Sequence, residues 1–471
     1  MVVRSTERAC ASAASDAHAH NSVSSGEKNA LNRNGGTKAR SLPASVRKED
    51  RCWLFATGRP NRCGIATDVQ VLTEAHLLHF VWTVNASAAP RHEAVRTTML
   101  KTIELPSVAL LPNAFAAQSR RNDLATVLRS LLEQDDLDAT LDKELGLEEQ
   151  LIETARTLAR RAYPKELTTD RQTASWIDHD ARDALHRALL VLYQQHVRLP
   201  VESTLANQFH PFSCRLMHEL ERPWEEDMIR RVHASHDLSP DALPKSGAEF
   251  AAWFSSTAFA HPLYEHDLYT FLACDATRGQ LEWFFRMECA GEAAFDDLVA
   301  LAQVGTRGEV KMEMASNYWD EMGKGKTHAV HTHLFHRLIE ALSLEAPSAS
   351  DLPWQVLAGV NVMLWSCISR RNAFRAQGTL GAVELLAPQR CTRVVHGALR
   401  VGMKKKAVVY YGAHAIIDIG HAEGWLDHVV RPQVDAYPNS RFGIAEGLIT
   451  RADASLDYFD YCLAVARSIA A

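Results

Sequence analysis

From Asn122 onward, apolar side chains recur three and four positions apart: Leu124, Val127, Leu128, Leu131 and Leu132, then Leu151, Ile152, Ala155, Leu158 and Ala159. Such spacing puts each set on one stripe of a helix, and it predicts two amphipathic helices there, with a third over Ala181 to Val197. Pro200 marks a break. Beyond it, helix-length segments alternate with turns predicted at Ser239-Pro240, Ala346-Pro-Ser348, Ala387-Pro388 and Tyr437-Pro438-Asn439, where proline removes a backbone donor and fixes φ. No credible run of strand-like alternation follows residue 200, so the predicted class is all-α.

The same pattern divides the chain. Residues 1–48 are rich in Ser, Ala, Asn and Gly, bury too little apolar surface to fold alone, and are expected to be disordered. Residues 49–200 form a mixed, mostly helical N-terminal region whose early apolar runs (Val69 to Val71, Leu77 to Trp82, Val108 to Leu111) follow no sustained period. Residues 201–471 read as one helical domain without internal repeats.

Composition narrows the field. Hydrophobic residues make up 46% and charged ones 23% of 471, an ordinary globular balance, and the net charge of −6 argues against nucleic acid as a partner. Nine cysteines lie scattered without CxxC pairs, as in a reduced compartment. With no apolar run near the ~18 residues of a membrane span, and no apolar centre in the first residues, the expectation is a cytoplasmic protein with no membrane partner.

One segment carries chemistry. In Val408-Val-Tyr-Tyr-Gly-Ala-His-Ala-Ile-Ile-Asp-Ile-Gly-His, the residues His414, Asp418 and His421 stand at offsets of four and seven, on one face of a helix. The apolar flanks imply burial, where an unpaired aspartate is costly and a metal ion would compensate it. Satisfied core histidines are the plainer alternative. Glu384, a lone acid among small and apolar residues, precedes His414 by thirty positions and fits either a buried ligand or a surface carboxylate. Upstream, Asn317-Tyr-Trp-Asp-Glu321-Met-Gly-Lys-Gly is followed by four histidines, at 328, 331, 333 and 336, among which spacing does not choose. An unbroken helix would turn His331 about 80° away from Glu321, and the two glycines suggest a local distortion or π-bulge that corrects the angle. Three carboxylates and three imidazoles are the donor set with which helical proteins hold two irons.

These residues together resemble the haem-oxygenase-like diiron oxidases and oxygenases, the iron-containing redox enzyme family. The resemblance covers roughly residues 200 to 471: Asp320-Glu-Met-Gly-Lys-Gly, His331, Leu334-Phe335, Glu384 and the H-x-x-x-D-x-x-H triple. It implies a haem-oxygenase-like helical bundle of about seven helices with an N-terminal, mostly helical extension. It also implies metal ligands Glu321, His331, Glu384, His414, Asp418 and His421, two Fe(II) ions with O2 as co-substrate, and no haem. N-oxygenating relatives recruit one more carboxylate from an earlier helix, and within Arg286-Met-Glu288-Cys-Ala-Gly-Glu292 the apolar neighbours of Glu288 make it the candidate.

The functional expectation is therefore a nonhaem diiron oxidase or oxygenase acting on a small organic substrate, such as an amine or amino acid derivative, by N-oxygenation or oxidative C–C cleavage. An external electron donor and a homodimer are compatible partners. Two alternatives stand beside it: a noncatalytic helical scaffold or partner-binding module of the same fold, and a metal-free hydrolase of the thiaminase-II type using Cys367 or Cys391. Trp354, Trp365, Phe374, Tyr410 and Tyr411 read as core aromatics, and Lys404-Lys-Lys406 as a solvated loop.

Overall fold

The structure, a computed structural model, describes residues 123–165, 177–200, 205–292 and 295–469. The expected disorder of residues 1–48 and the apolar runs at 69–71, 77–82 and 108–111 lie outside these residues. Within them every regular element is helical and no strand occurs, so the all-α expectation holds.

The first helices form where the apolar stripe predicts. Helix α1 (Leu124–Leu132) opens at Asp123, whose carboxylate accepts the Ala125 N–H, and buries Leu124, Val127, Leu128, Leu131 and Leu132. Helices α2 (Leu137–Lys143), α3 (Leu147–Ala162) and α4 (His179–Gln194) follow, α3 burying Leu151, Ile152, Ala155 and Ala159. Their apolar faces merge into the same hydrophobic core as the rest of the described residues.

Next come α5 (Pro211–Ser235), α6 (Gly247–Ala260) and α7 (Asp267–Thr270), which runs into a π-helical turn at Phe271–Asp275. Helices α8 (Arg278–Glu292), α9 (Phe295–Ala302), α10 (Gly308–Glu321) and α11 (His331–Ala341) lead to α12 (Trp354–Ile368). The centre of the bundle is α13 (Ala373–Arg400), flanked by α14 (Val409–Gly424) and α16 (Ser440–Ser468). A π-helical turn at Trp425–Val430 and the short α15 (Arg431–Ala436) connect the last two.

Glycines set how closely α13 and α16 approach. A Cβ on Gly378 would fall 2.0 Å from the Ile444 carbonyl oxygen, and one on Gly447 would fall 2.1 Å from that of Arg375. At each contact a glycine on one helix lets it reach the backbone of the other.

One predicted turn is absent: Ala387-Pro388 lies inside α13, which continues through it to Arg400. Proline costs about 3 kcal/mol in a helix interior because it has no N–H for the carbonyl four residues earlier, here that of Glu384. Burial of α13 between α14 and α16 outweighs that cost, with Leu385, Leu386, Ala387, Cys391 and Val394 all in the core.

Candidate metal centre

Four helices converge on the six residues. Helix α10 delivers Glu321 at its last position and α11 delivers His331 at its first, so the ten-residue step between them is not one distorted helix. Gly323, Lys324 and Gly325 all take positive φ (62°, 52° and 79°), which a right-handed helix cannot accommodate. The chain therefore stops, turns back and restarts. Gly323 packs so tightly that a Cβ there would lie 2.6 Å from the Ala329 carbonyl carbon, and this contact aims α11 at the end of α10.

That turn also chooses among the four histidines. His331 is buried, with its Nδ1 2.7 Å from Glu321 Oε2 and 2.9 Å from His414 Nε2. His328 and His336 are exposed, and His333 Nδ1 turns to the Thr327 carbonyl oxygen at 2.6 Å.

Helix α14 presents His414, Asp418 and His421 on one face, as their spacing predicts, and α13 contributes Glu384. His421 Nδ1 lies 3.3 Å from Glu384 Oε2, 3.6 Å from Asp418 Oδ1 and 3.8 Å from Glu321 Oε1. Two groups of donor atoms result, Glu321 with His331 and His414, and Glu321 with Asp418 and His421, the atoms of each lying within 4.8 Å of one another. Glu321 belongs to both. Glu384 joins the second group through His421, and Asn317 Nδ2 donates to its other oxygen, Oε1, at 2.9 Å.

The electrostatics follow from burial and from the pairing of carboxylates with imidazoles. Burial would push the Glu321 carboxyl up, but the facing His331 and His414 hold it well below the usual range. Burial disfavours protonated imidazoles, yet the surrounding carboxylates raise His331 to about 10 and His421 to about 11. Asp418 is pushed up to about 7 by burial, with Glu384 and Glu321 adding repulsion against the pull of His414. Asp418 Oδ1 and His421 Nδ1 are buried without a hydrogen-bond partner. Buried donors of this kind, short of hydrogen bonds and gathered with three carboxylates, fit divalent metal ions that would displace the imidazole protons.

The outer ring contains residues that spacing did not single out. Glu288 stands apart from the six, accepting from Arg390 Nη1 and, at 2.7 Å, from the Tyr458 hydroxyl. One turn later, Glu292 faces the centre: its Oε2 lies 3.0 Å from His331 Nε2 and accepts a hydrogen bond from the Tyr410 hydroxyl. Tyr410 also binds through its backbone, its carbonyl oxygen accepting from His414 Nδ1 at 2.8 Å. Asp320 Oδ2 lies 3.5 Å from His421 Nε2, and its Oδ1 lies 3.4 Å from Lys324 Nζ.

Candidate nucleophiles are differently placed. Cys367 and Cys391 are buried, and burial pushes the Cys367 thiol up to about 12 and the Cys391 thiol higher still. Among the described residues no helix is long and apolar enough to cross a membrane.

No curated protein matches the chain. Among solved structures it is similar to a CADD-like protein of unknown function from Nostoc punctiforme, at 18% identity and a TM-score of 0.39, over 47% of this chain and 98% of that one. A sequence profile described as iron-containing redox enzyme matches residues 282–456, the stretch that holds all six converging side chains. By that match, residues 282–456 of the chain are similar to the iron-containing redox enzymes.

Proposed function

We propose that the protein is a nonhaem diiron oxidase or oxygenase, with Glu321, His331, Glu384, His414, Asp418 and His421 as its metal ligands and a small organic molecule as its substrate. The observation that carries this reading is the sharing of Glu321 between two donor groups, one on each of its carboxylate oxygens. A carboxylate so placed suits a pair of ions, since one ion would leave half of the donors unused. Iron(II) supplies the electrons and open coordination positions that triplet dioxygen requires and that side chains lack.

The chain's own residues do the rest. His331 and His414 serve one position, Asp418 and His421 the other, and Glu384 adds charge beside His421. Asn317 keeps the Glu384 carboxylate turned inward by holding Oε1. Tyr410 is buried, and burial together with the Glu292 carboxylate holds its hydroxyl proton in place, so it donates rather than ionises. Asp418, with its carboxyl raised to about 7, is the ligand that most needs a cation in order to ionise.

The metal-free hydrolase finds no support in Cys367 or Cys391, which burial keeps protonated. Anaerobic Fe(II) titration with Mössbauer readout tests the proposal. Wild-type protein should bind two irons per chain and consume O2 in the presence of a suitable amine or amino acid derivative, whereas Asp418→Ala should bind one or none. Iron uptake no greater in wild type than in Asp418→Ala would end the diiron reading.

A further inference from the structure

Each of the three imidazoles has one ring nitrogen in the metal centre and the other on a fixed partner outside it. His414 turns Nε2 inward while Nδ1 bonds the Tyr410 carbonyl oxygen. A carbonyl only accepts, so His414 carries its proton on Nδ1 and its Nε2 lone pair is free for a cation. His331 and His421 are reversed: Nδ1 points inward in both, and Nε2 faces Glu292 Oε2 at 3.0 Å or Asp320 Oδ2 at 3.5 Å.

We infer that Glu292 and Asp320 are positioning carboxylates, one for each metal position, that hold the Nε2–H tautomers of His331 and His421 and so present Nδ1 to the ions. This inference rests on the proposed diiron reading. Outer carboxylates of this kind fix ring orientation and raise ligand basicity, and losing one typically weakens metal binding by about ten- to a hundredfold.

The surroundings fit the assignment. Glu292 is anchored independently of any metal, by the Tyr410 hydroxyl on Oε2 and by Arg390 Nη2 3.7 Å from Oε1, while Glu288 takes up Arg390 Nη1. Asp320 Oδ1 lies 3.4 Å from the Nζ of Lys324, on the left-handed turn that ends α10. Glu292 lies 39 positions from His331 and Asp320 lies 101 from His421, so neither pairing follows a helical period.

Anaerobic Co(II) titration followed by visible absorption distinguishes the two positions, with His414→Ala and Asp418→Ala identifying which signal belongs to which. Glu292→Gln should weaken the His331/His414 position about ten- to a hundredfold and leave the other within about twofold. Asp320→Asn should do the reverse, and Glu292→Asp and Asp320→Glu should recover part of the loss. Purely structural roles would instead weaken both positions together, with a matching loss in thermal unfolding. A measurement independent of the variants is 15N–1H NMR of histidine-labelled, Zn(II)-loaded wild type: two ligand rings should be protonated on Nε2 and one on Nδ1. Nε2 ligation by His331 and His421, a metal-loaded structure with a Glu292 or Asp320 oxygen on an ion, or equal effects at both positions would each overturn the assignment. Wild type that takes up no Co(II) would overturn the diiron reading along with it; normal uptake with indifferent variants would overturn this inference alone.

Discussion

Asn317 shows how much a single neutral side chain contributes at this centre. It is 2% exposed, and its amide gives Glu384 Oε1 its hydrogen bond. Asn317→Leu, close in size, leaves that buried oxygen without a donor, at a cost of about 1–3 kcal/mol in metal-free protein. The loss should appear as a lower urea midpoint and shrink when metal is added, since a cation then compensates Glu384; a midpoint equal to wild type with and without metal would mean the bond contributes nothing. His414, Asp418 and His421 are legible in the sequence because one helix carries all three, and helical periodicity is local. Asn317, Glu292, Asp320 and Tyr410 are not, because each is defined by a partner 39 to 118 positions away or by a backbone atom. Glu288 and Glu292 illustrate the limit: both are acids on α8, but only three-dimensional packing decides that Glu288 meets Arg390 and Tyr458 while Glu292 meets His331.

Elements set the centre's geometry through a few close contacts. Gly378→Ala or Gly447→Ala would drive a Cβ against a backbone carbonyl oxygen, an atom that cannot rotate away, and push α13 from α16. Overpacking of this sort costs about 1–3 kcal/mol, and because α13 carries Glu384 it should also weaken metal binding. Calorimetry and Co(II) titration of the same variant check both effects, and a variant that kept wild-type stability would show that the helices can separate freely. Gly323→Ala should act differently. It forces a side chain into positive φ and against the Ala329–Val330 backbone, so α11 must shift and His331 with it, predicting selective loss of the His331/His414 position. Helix positions were legible wherever an apolar stripe faced the core, as in α1 and α3. Two features were not: the helix through Pro388, where burial outweighs a local breaker, and the break after Glu321, where three left-handed residues in a row end a pattern that otherwise reads as helical.

At the scale of the whole molecule, the proposed metal ligands come from α10, α11, α13 and α14, and a ligand bound only by the folded state would stabilise it. Each ion at a hundred times its dissociation constant should add about 2.7 kcal/mol, read as a rise in melting temperature that is at least halved in Asp418→Ala. A second stabilising device lies outside the metal-ligand set, where α4 meets α12. His186 is fully buried, its Nδ1 accepting from Asn361 Nδ2 at 3.2 Å and its Nε2 2.6 Å from the Tyr163 hydroxyl. Burial, reinforced by repulsion from Arg182 and Arg231, lowers this imidazole from 6.5 to about 3. The folded protein thus keeps His186 neutral, while the unfolded chain takes up a proton below pH 6.5. Stability from this group is complete above that pH and falls by up to about 1.4 kcal/mol per unit as pH drops toward 3. Between pH 7.5 and 5.0 wild type should lose about 2 kcal/mol more than His186→Gln, whose amide cannot titrate. With chelator present, the metal ligands titrate alike in both proteins and cancel in the difference. Urea unfolding at the two pH values measures it, and equal losses in the two proteins would mean that His186 is protonated in the fold or reaches water there.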